Sequence, residues 1–430
     1  MQQFKSIIHK VYPFLTGLLL FIVSWQYYQA DRKSVIWSDA EGYYIYLPAV
    51  FIYDGFEEVP TISGQITPYK DSDKIYTKYT CGVAIMQSPF FLLAQGVSYV
   101  AGKDTSGFTS LNNLVIRIAA IFYLVWGIIL LRNYLEKRFR PLAVFVAIQA
   151  LLWGTNLFHY TIREPGMSHV YLFFLFSVFI VFTPRFLQNP SAKNMVRLGL
   201  LLGLITLIRP TNCLIVLYLL LYNVYSFNGL LARLKLFLSR FKTLWLVPLM
   251  MFVVFIPQFI YWHYISGSFI IYSYNQEGFI YWNDPRILKV LFDVQNGWLL
   301  YSPVAVLALA GLVWGIFKRE TGFIPVALLI MLFTYIFSSW WAWWFGGAFG
   351  HRCFVEFYSF LALPFAYFMH RIFKIKQPVL TSFVLLLIAG LVFYNLRLTH
   401  LYVPPWDGDD WTWERYGAVL EEAFYLNAER

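Results

Sequence analysis

From about residue 11 to about residue 395 the sequence alternates apolar runs with short polar breaks in which Lys and Arg gather. A helix that crosses a bilayer needs ~20 consecutive apolar residues, and runs of about that length recur throughout. This rhythm predicts an all-α polytopic membrane protein, because backbone polar groups inside lipid must be satisfied within the segment itself. Charged residues make up only 13% of the chain, against about a quarter in soluble domains. The net charge of +10 could suggest nucleic acid. The cations lie between apolar runs, however, which is the positive-inside pattern, so no nucleic-acid partner is expected.

Taking apolar runs as helices and basic clusters as cytoplasmic gives a path of about 11 transmembrane helices, N-terminus inside. The first, about 11–29, follows Lys5 and Lys10, lacks a small-residue cleavage site and ends in the aromatic belt Trp25-Gln26-Tyr27-Tyr28, so it reads as a retained helix. A long outer segment, 30–112, comes next. Helices at about 113–131, 141–158 and 170–184 alternate around the basic turn 132–140. The run 195–225 is broken by Arg209-Pro210-Thr211-Asn212, since proline ends or kinks a helix. Its two arms read as one passage up and one back. Residues 227–242 interleave basic and apolar side chains like an inner-surface amphipathic helix. Further helices are expected at about 243–262, after the outer loop 263–300, at about 322–338, after the loop 340–356, and at about 378–395. The expected domains are therefore a membrane region, 1–395, and a short outer tail, 396–430. The segments assigned inside carry 18 Lys and Arg and 2 acids; those assigned outside carry 15 and 21.

The chemically interesting residues all fall on the outer side. Asp39 and Glu41 stand in Trp37-Ser38-Asp39-Ala40-Glu41-Gly42-Tyr43-Tyr44, at the membrane face. The plain reading is a solvated loop with Asp39 capping a short helix through Tyr46. The apolar stretch from Lys78 to Ala94 is expected to lie in or dip into the outer interface, because a crossing there would put Arg132–Arg140 outside. Glu164 and His169 sit at the mouth of the fourth helix; with His159 they could be metal ligands or polar belt. The loop 340–356 holds four tryptophans, three glycines and then His351-Arg352 at the expected start of a helix. An Arg there suits an anion site, since N–H groups and guanidinium can share a phosphate; its plain reading is a snorkelling side chain. Cys81, Cys213 and Cys353 form no metal spacing, and a Cys81–Cys353 bridge is left open. No Walker motif or glycine-rich nucleotide loop is present.

In order along the chain, the first-loop acid motif around Asp39, the stretch Lys78-Tyr79-x-x-Gly82 through Pro89-Phe90, Arg209-Pro210-Thr211-Asn212, and Gly346-Gly347-x-x-Gly350-His351-Arg352 resemble the GT-C superfamily of glycosyltransferases. The closest style is that of bacterial protein O-mannosyltransferases and lipid A aminoarabinose transferases. Thr80-Cys81 departs from the proline pair that often stands in that family, and a large soluble C-terminal domain is not seen. The resemblance implies a GT-C-like bundle with juxtamembrane helices in the first outer loop, residing in a bacterial inner membrane with its active site on the periplasmic face. It implies a polyprenyl-phosphate sugar as donor and a glycan, lipid or protein as acceptor. Asp39 would be catalytic base, with Glu41 as its partner. Lys78, Arg209, His351 and Arg352 would hold the donor phosphate. Tyr43, Tyr44, Glu164 and His169 would line the cavity or receive the acceptor. No dedicated metal cage is seen, and a divalent ion between phosphate and Asp39 stays open. The competing class is a transporter or flippase of an anionic lipid-linked substrate; an O-antigen-ligase-like enzyme and a structural subunit are further alternatives.

Overall fold

The computed structural model describes residues 2–31, 34–63, 66–70 and 73–424, with side chains of the first helix from 11 to 29. Lys5, Lys10 and the end of the expected tail, 425–430, therefore lie outside what is described of side chains or chain. The helices in order are α1 (Gln2–Asp31), α2 (Asp39–Tyr44), α3 (Tyr46–Phe51), α4 (Gly82–Val100), α5 (Ser110–Leu135), α6 (Pro141–Trp153), α7 (Leu157–Ile162), α8 (Ser168–Gln188), α9 (Ala192–Ile208), α10 (Val216–Leu221), α11 (Phe227–Leu238), α12 (Phe241–Leu244), α13 (Leu246–Ser266), α14 (Ile287–Phe292), α15 (Trp298–Tyr301), α16 (Ala305–Phe317), α17 (Phe323–Ser339), α18 (Tyr358–Ile375), α19 (Pro378–Leu401) and α20 (Trp413–Phe424). The described sheet is one antiparallel ladder, Thr67 opposite Tyr76 and Pro68 opposite Ile75. The chain is all-α.

Among the described residues six helical segments are long and apolar enough to cross a membrane: Val11–Gln29, Gly82–Val100, Ser110–Leu135, Ser168–Gln188, Phe241–Ser266 and Pro378–Leu401. Five lie on runs read as crossings from sequence. The sixth is α4, which the sequence placed at the interface. The remaining expected crossings are shorter helices such as α6, α16 and α17.

The chain folds as two compact units, each built from separate stretches of sequence. The first comprises 1–127, 161–220 and 224–275; the second comprises 128–160, 221–223 and 276–430.

In the first unit α9 and α13 are the main packed pair. A β-carbon on Gly199 would meet Val247 O at 2.6 Å, and one on Gly203 would meet Met251 Cα at 3.0 Å. Both contacts advance four residues together, so the helices run parallel. Two parallel helices need the intervening chain to come back between them. The break itself is a 3-10 turn, Pro210–Ile215, entered through an extended Arg209 that lets proline follow without clashing.

In the second unit α16 meets α18 at Gly311, where a β-carbon would lie 2.2 Å from Pro364 O. Three basic turns share one end. Arg138 pairs with Glu320 at 3.5 Å, Arg140 donates to Phe373 O at 3.1 Å, and Arg371 lies over the Trp314 ring at 5.2 Å. A second, polar cluster joins Asn156 to Phe349 O and Asn395 to Tyr301 O. The tail is a folded part of this unit: Trp406, Trp411 and Tyr416 are buried, and the Trp411 indole donates to Val294 O at 3.0 Å.

Candidate functional site

The acid-bearing segment is a piece of core. Ile36, Tyr44, Ile45, Tyr46 and Leu47 are buried in one cluster with Phe91, Tyr261 and Trp262, and the Tyr46 and Tyr261 rings lie 4.9 Å apart. Asn113 of α5 fixes the approach, its side-chain oxygen accepting from Ser34 Oγ at 2.9 Å and Val35 N at 2.8 Å. Ser38, not Asp39, is the N-cap of α2, and the helix ends at Tyr44 rather than Tyr46. Ser38 has φ 53°, a left-handed conformation that costs a non-glycine residue of order 1–3 kcal/mol. This turn sets Asp39, half-buried, at the first position of α2.

Three close approaches at glycines link other segments in a chain that starts from it. Gly166 meets Ala40, where a β-carbon would lie 2.7 Å from Ala40 Cβ; this brings the loop carrying Glu164 to α2. Gly42 meets Tyr79, and Thr77 Oγ1 donates to Gly42 O at 2.9 Å, bringing Lys78 alongside. Gly82 meets the backbone of Ile208 at 2.8 Å, and the Thr80 hydroxyl donates to Leu207 O, bringing in Arg209. Glu164, Asp39, Lys78 and Arg209 thus occupy successive stations along one chain of contacts in the first unit, all half-buried. Lys78 lies 5.7 Å from the Tyr79 ring and 5.4 Å from the Tyr274 ring, a cation–π setting that orients the ammonium without neutralising it.

Other residues singled out from sequence lie inside the protein. Glu41 is fully buried and accepts from Ile62 N at 2.5 Å, Ser63 N at 2.8 Å and the Ser63 hydroxyl. Its carboxylate ties a distant loop to α2. Tyr43 is buried with its ring 4.4 Å from that of Tyr79. Tyr44 donates to Gly107 O at 2.5 Å, and burial pushes its hydroxyl far above the ordinary value of 10.0. His169 is fully buried at the start of α8.

In the second unit His351 is also fully buried. A ring nitrogen lies 3.1 Å from Trp343 O, and the imidazole is flanked by Phe337, Phe345 and Phe354. It folds the tryptophan-rich loop. Arg352 is half-buried in a 3-10 turn, Arg352–Phe354. The helix expected to begin there begins at Tyr358, so the argument from a helix N-terminus does not reach Arg352. His159 is stacked on Phe349 at 5.0 Å.

The sequence reading missed two groups. Arg117, in the middle of an apolar run, is buried and donates to Ile162 O at 2.9 Å and Ser24 Oγ at 3.1 Å. An arginine inside a transmembrane run is itself the signal that could have found it. Asn212, three residues after Arg209, is fully buried with no hydrogen-bond partner for either amide atom among the described residues. Each unmet group costs about 1–3 kcal/mol.

An apolar groove of about 540 Å³ opens in the same unit, lined by Tyr46, Val50, Phe51, Cys81, Ile85 and Ile260 among others. Cys81 places it three residues from Lys78. Burial pushes the Cys81 thiol up to about 12, so it stays protonated, and Cys81, Cys213 and Cys353 form no disulfide among the described residues. Among the described residues no group of three or more His, Cys, Asp or Glu is arranged to hold a metal. No family model, curated protein or solved structure matches the chain.

Proposed function

We propose that this chain is a membrane glycosyltransferase that takes a sugar from a polyprenyl-phosphate donor on the outer face of the membrane, using a bundle of about 11 crossings. The observation that carries the reading is the run of contacts that links the segments of Asp39, Lys78 and Arg209 in one unit, which also holds a groove lined mainly by apolar side chains. A lipid-linked anionic sugar needs those three things together: cations for the phosphate, a carboxylate for the acceptor and an apolar surface for the chain.

In this mechanism Lys78 and Arg209 hold the donor phosphate. Asp39 takes the proton from an acceptor hydroxyl or amine. The acceptor oxygen or nitrogen bonds to the anomeric carbon from the side opposite the phosphate, and the carbon–oxygen bond to phosphate breaks. Polyprenyl phosphate departs as an anion, its charge met by the cations. Configuration inverts. Glu164 faces the acceptor side. Glu41 and Tyr44 keep α2 in place.

The test is single turnover of the purified protein with a panel of polyprenyl-phosphate sugars, wild type beside Asp39→Asn. Loss of a positioned base predicts a fall of roughly 10²–10⁴-fold in turnover with donor binding retained. Equal turnover in both proteins would remove Asp39 as base. Donor binding without turnover by the wild type, coupled to lipid movement in vesicles, would favour the flippase reading.

A further inference from the structure

Between Pro165 and Gln276 the chain has eight Lys and Arg residues and no Asp or Glu. Arg209 lies at the site described above. The other seven gather at the opposite ends of the helices that carry it. Arg185 closes α8, and Lys193 and Arg197 open α9. Arg233 and Lys235 lie on α11, and Arg240 and Lys242 flank and join α12. These elements touch: the Phe186 and Phe237 rings stack at 6.3 Å, Arg233 donates to Leu219 O at 3.5 Å, and α12 packs on α9.

No residue of α11 is buried. Leu230, Arg233 and Phe237 share the side turned to the protein, given the contacts just named. Phe227, Leu231, Leu234 and Leu238 fall at spacings of four, three and four, a single stripe on the other side. They are 73%, 38%, 44% and 68% exposed, and the stripe continues into Phe241 and Trp245, 66% and 55% exposed. Lys235, Arg240 and Lys242 stand beside it, exposed.

We propose that α11 and α12 form a docking surface for anionic phospholipid headgroups. The apolar stripe enters the headgroup–acyl boundary, and the cations meet the phosphates. Charge selects the occupant: seven cations without a single acid in the stretch suit a negatively charged leaflet, whereas a zwitterionic one would give them no return. This surface is independent of the catalytic reading, since it stands at the end of the unit away from Asp39.

The test reconstitutes the full-length protein in nanodiscs of phosphatidylcholine with or without phosphatidylglycerol and measures retained lipid by native mass spectrometry. Wild type should retain phosphatidylglycerol in preference. Lys235→Gln/Arg240→Gln/Lys242→Gln should lower that preference roughly tenfold or more, because each cation near the surface contributes about 1 kcal/mol. Equal retention of both lipids by the wild type, or an unchanged preference in the triple variant, would overturn the proposal. Position is tested by lipids brominated on their acyl chains. The quenching lost on Trp245→Phe gives the contribution of Trp245, and Leu231→Glu/Leu234→Glu should remove it. All six positions are exposed, so thermal unfolding in detergent should be unchanged. A Trp245 contribution of zero would overturn the docked geometry.

Discussion

The α-carbon of Gly42 lies so close to the ring of Tyr79 that a β-carbon at residue 42 would sit 2.4 Å from Tyr79 Cδ2 and 2.9 Å from Thr77 Oγ1. This approach joins the helix bearing Asp39 to the segment bearing Lys78. Gly42→Ala should therefore force the two apart, destabilising the protein by about 1–3 kcal/mol as overpacking does. Thermal unfolding in detergent reads the first effect. Donor affinity reads the second, and Gly96→Ala, at a helical glycine with open space around it, is the control that should neither lower stability nor change donor affinity.

Such contacts explain what could be read from sequence. The long helices α1, α5, α8, α13 and α19 declare themselves by continuous apolar runs, and Pro210 announces the end of α9. Positions 39, 78, 164 and 209 are each within three residues of a glycine, threonine or proline that permits close approach. The pattern is local even though the partners are distant. Glu41 is a different case. Its partners are the backbone N–H groups of residues 62 and 63, and nothing in a neighbouring carboxylate distinguishes one turned inward from Asp39, half-exposed two residues earlier. His351 is hidden for the same reason: its enclosure is made by Phe337, Phe345 and Phe354, which come together only once the loop has folded. The order of the tail is equally non-local, since Trp411 and Tyr416 pack on Tyr301, more than a hundred residues before them.

Glu41 gives the second prediction. Its buried carboxylate satisfies two backbone donors and one hydroxyl, and hydrogen bonds to a charged group contribute about 1.5–3 kcal/mol each. Glu41→Ala should lose several kcal/mol and release the loop around residue 62 to proteolysis. Glu41→Gln keeps the acceptor oxygen and should recover part of both. If cleavage in the loop is unchanged in the alanine variant, the anchoring role is wrong.

The third concerns pH. The Tyr264 hydroxyl donates to Glu57, and Lys74 lies 4.0 Å from the Tyr264 ring and donates to Tyr264 O at 2.9 Å. The Tyr264 bond, with Lys74 adding, holds the Glu57 carboxyl below its ordinary 4.5. A lowered acid stabilises the folded arrangement above the ordinary value and loses that contribution as pH falls through the folded one. Amide exchange at Gly55–Glu58, corrected for its intrinsic pH dependence, should lose protection only below pH 4.5. In Glu57→Gln that step should vanish. A step above the ordinary carboxylate range would assign the loop to another group.

Arg117 carries the fourth. It stands within α5, buried, with its guanidinium shared between Ile162 O and Ser24, and it also lies 5.3 Å from the Tyr28 ring. One side chain therefore joins α1, α5 and the residues just ahead of Glu164. Lysine would keep the charge but not the planar fork that serves separate acceptors at once. Arg117→Lys should destabilise by about 1–3 kcal/mol, because an acceptor inside the protein loses its donor. Arg117→Met removes the charge altogether, and with it the cost of burying a cation. If Arg117 serves only to hold the helices, methionine should be no worse than lysine in thermal unfolding, and both should retain turnover once folded. If the cation also reaches the substrate through the loop at Glu164, Arg117→Met should unfold like the lysine variant yet lose turnover well beyond it. Measuring stability and single turnover on the same two variants separates a helix clamp from a member of the site.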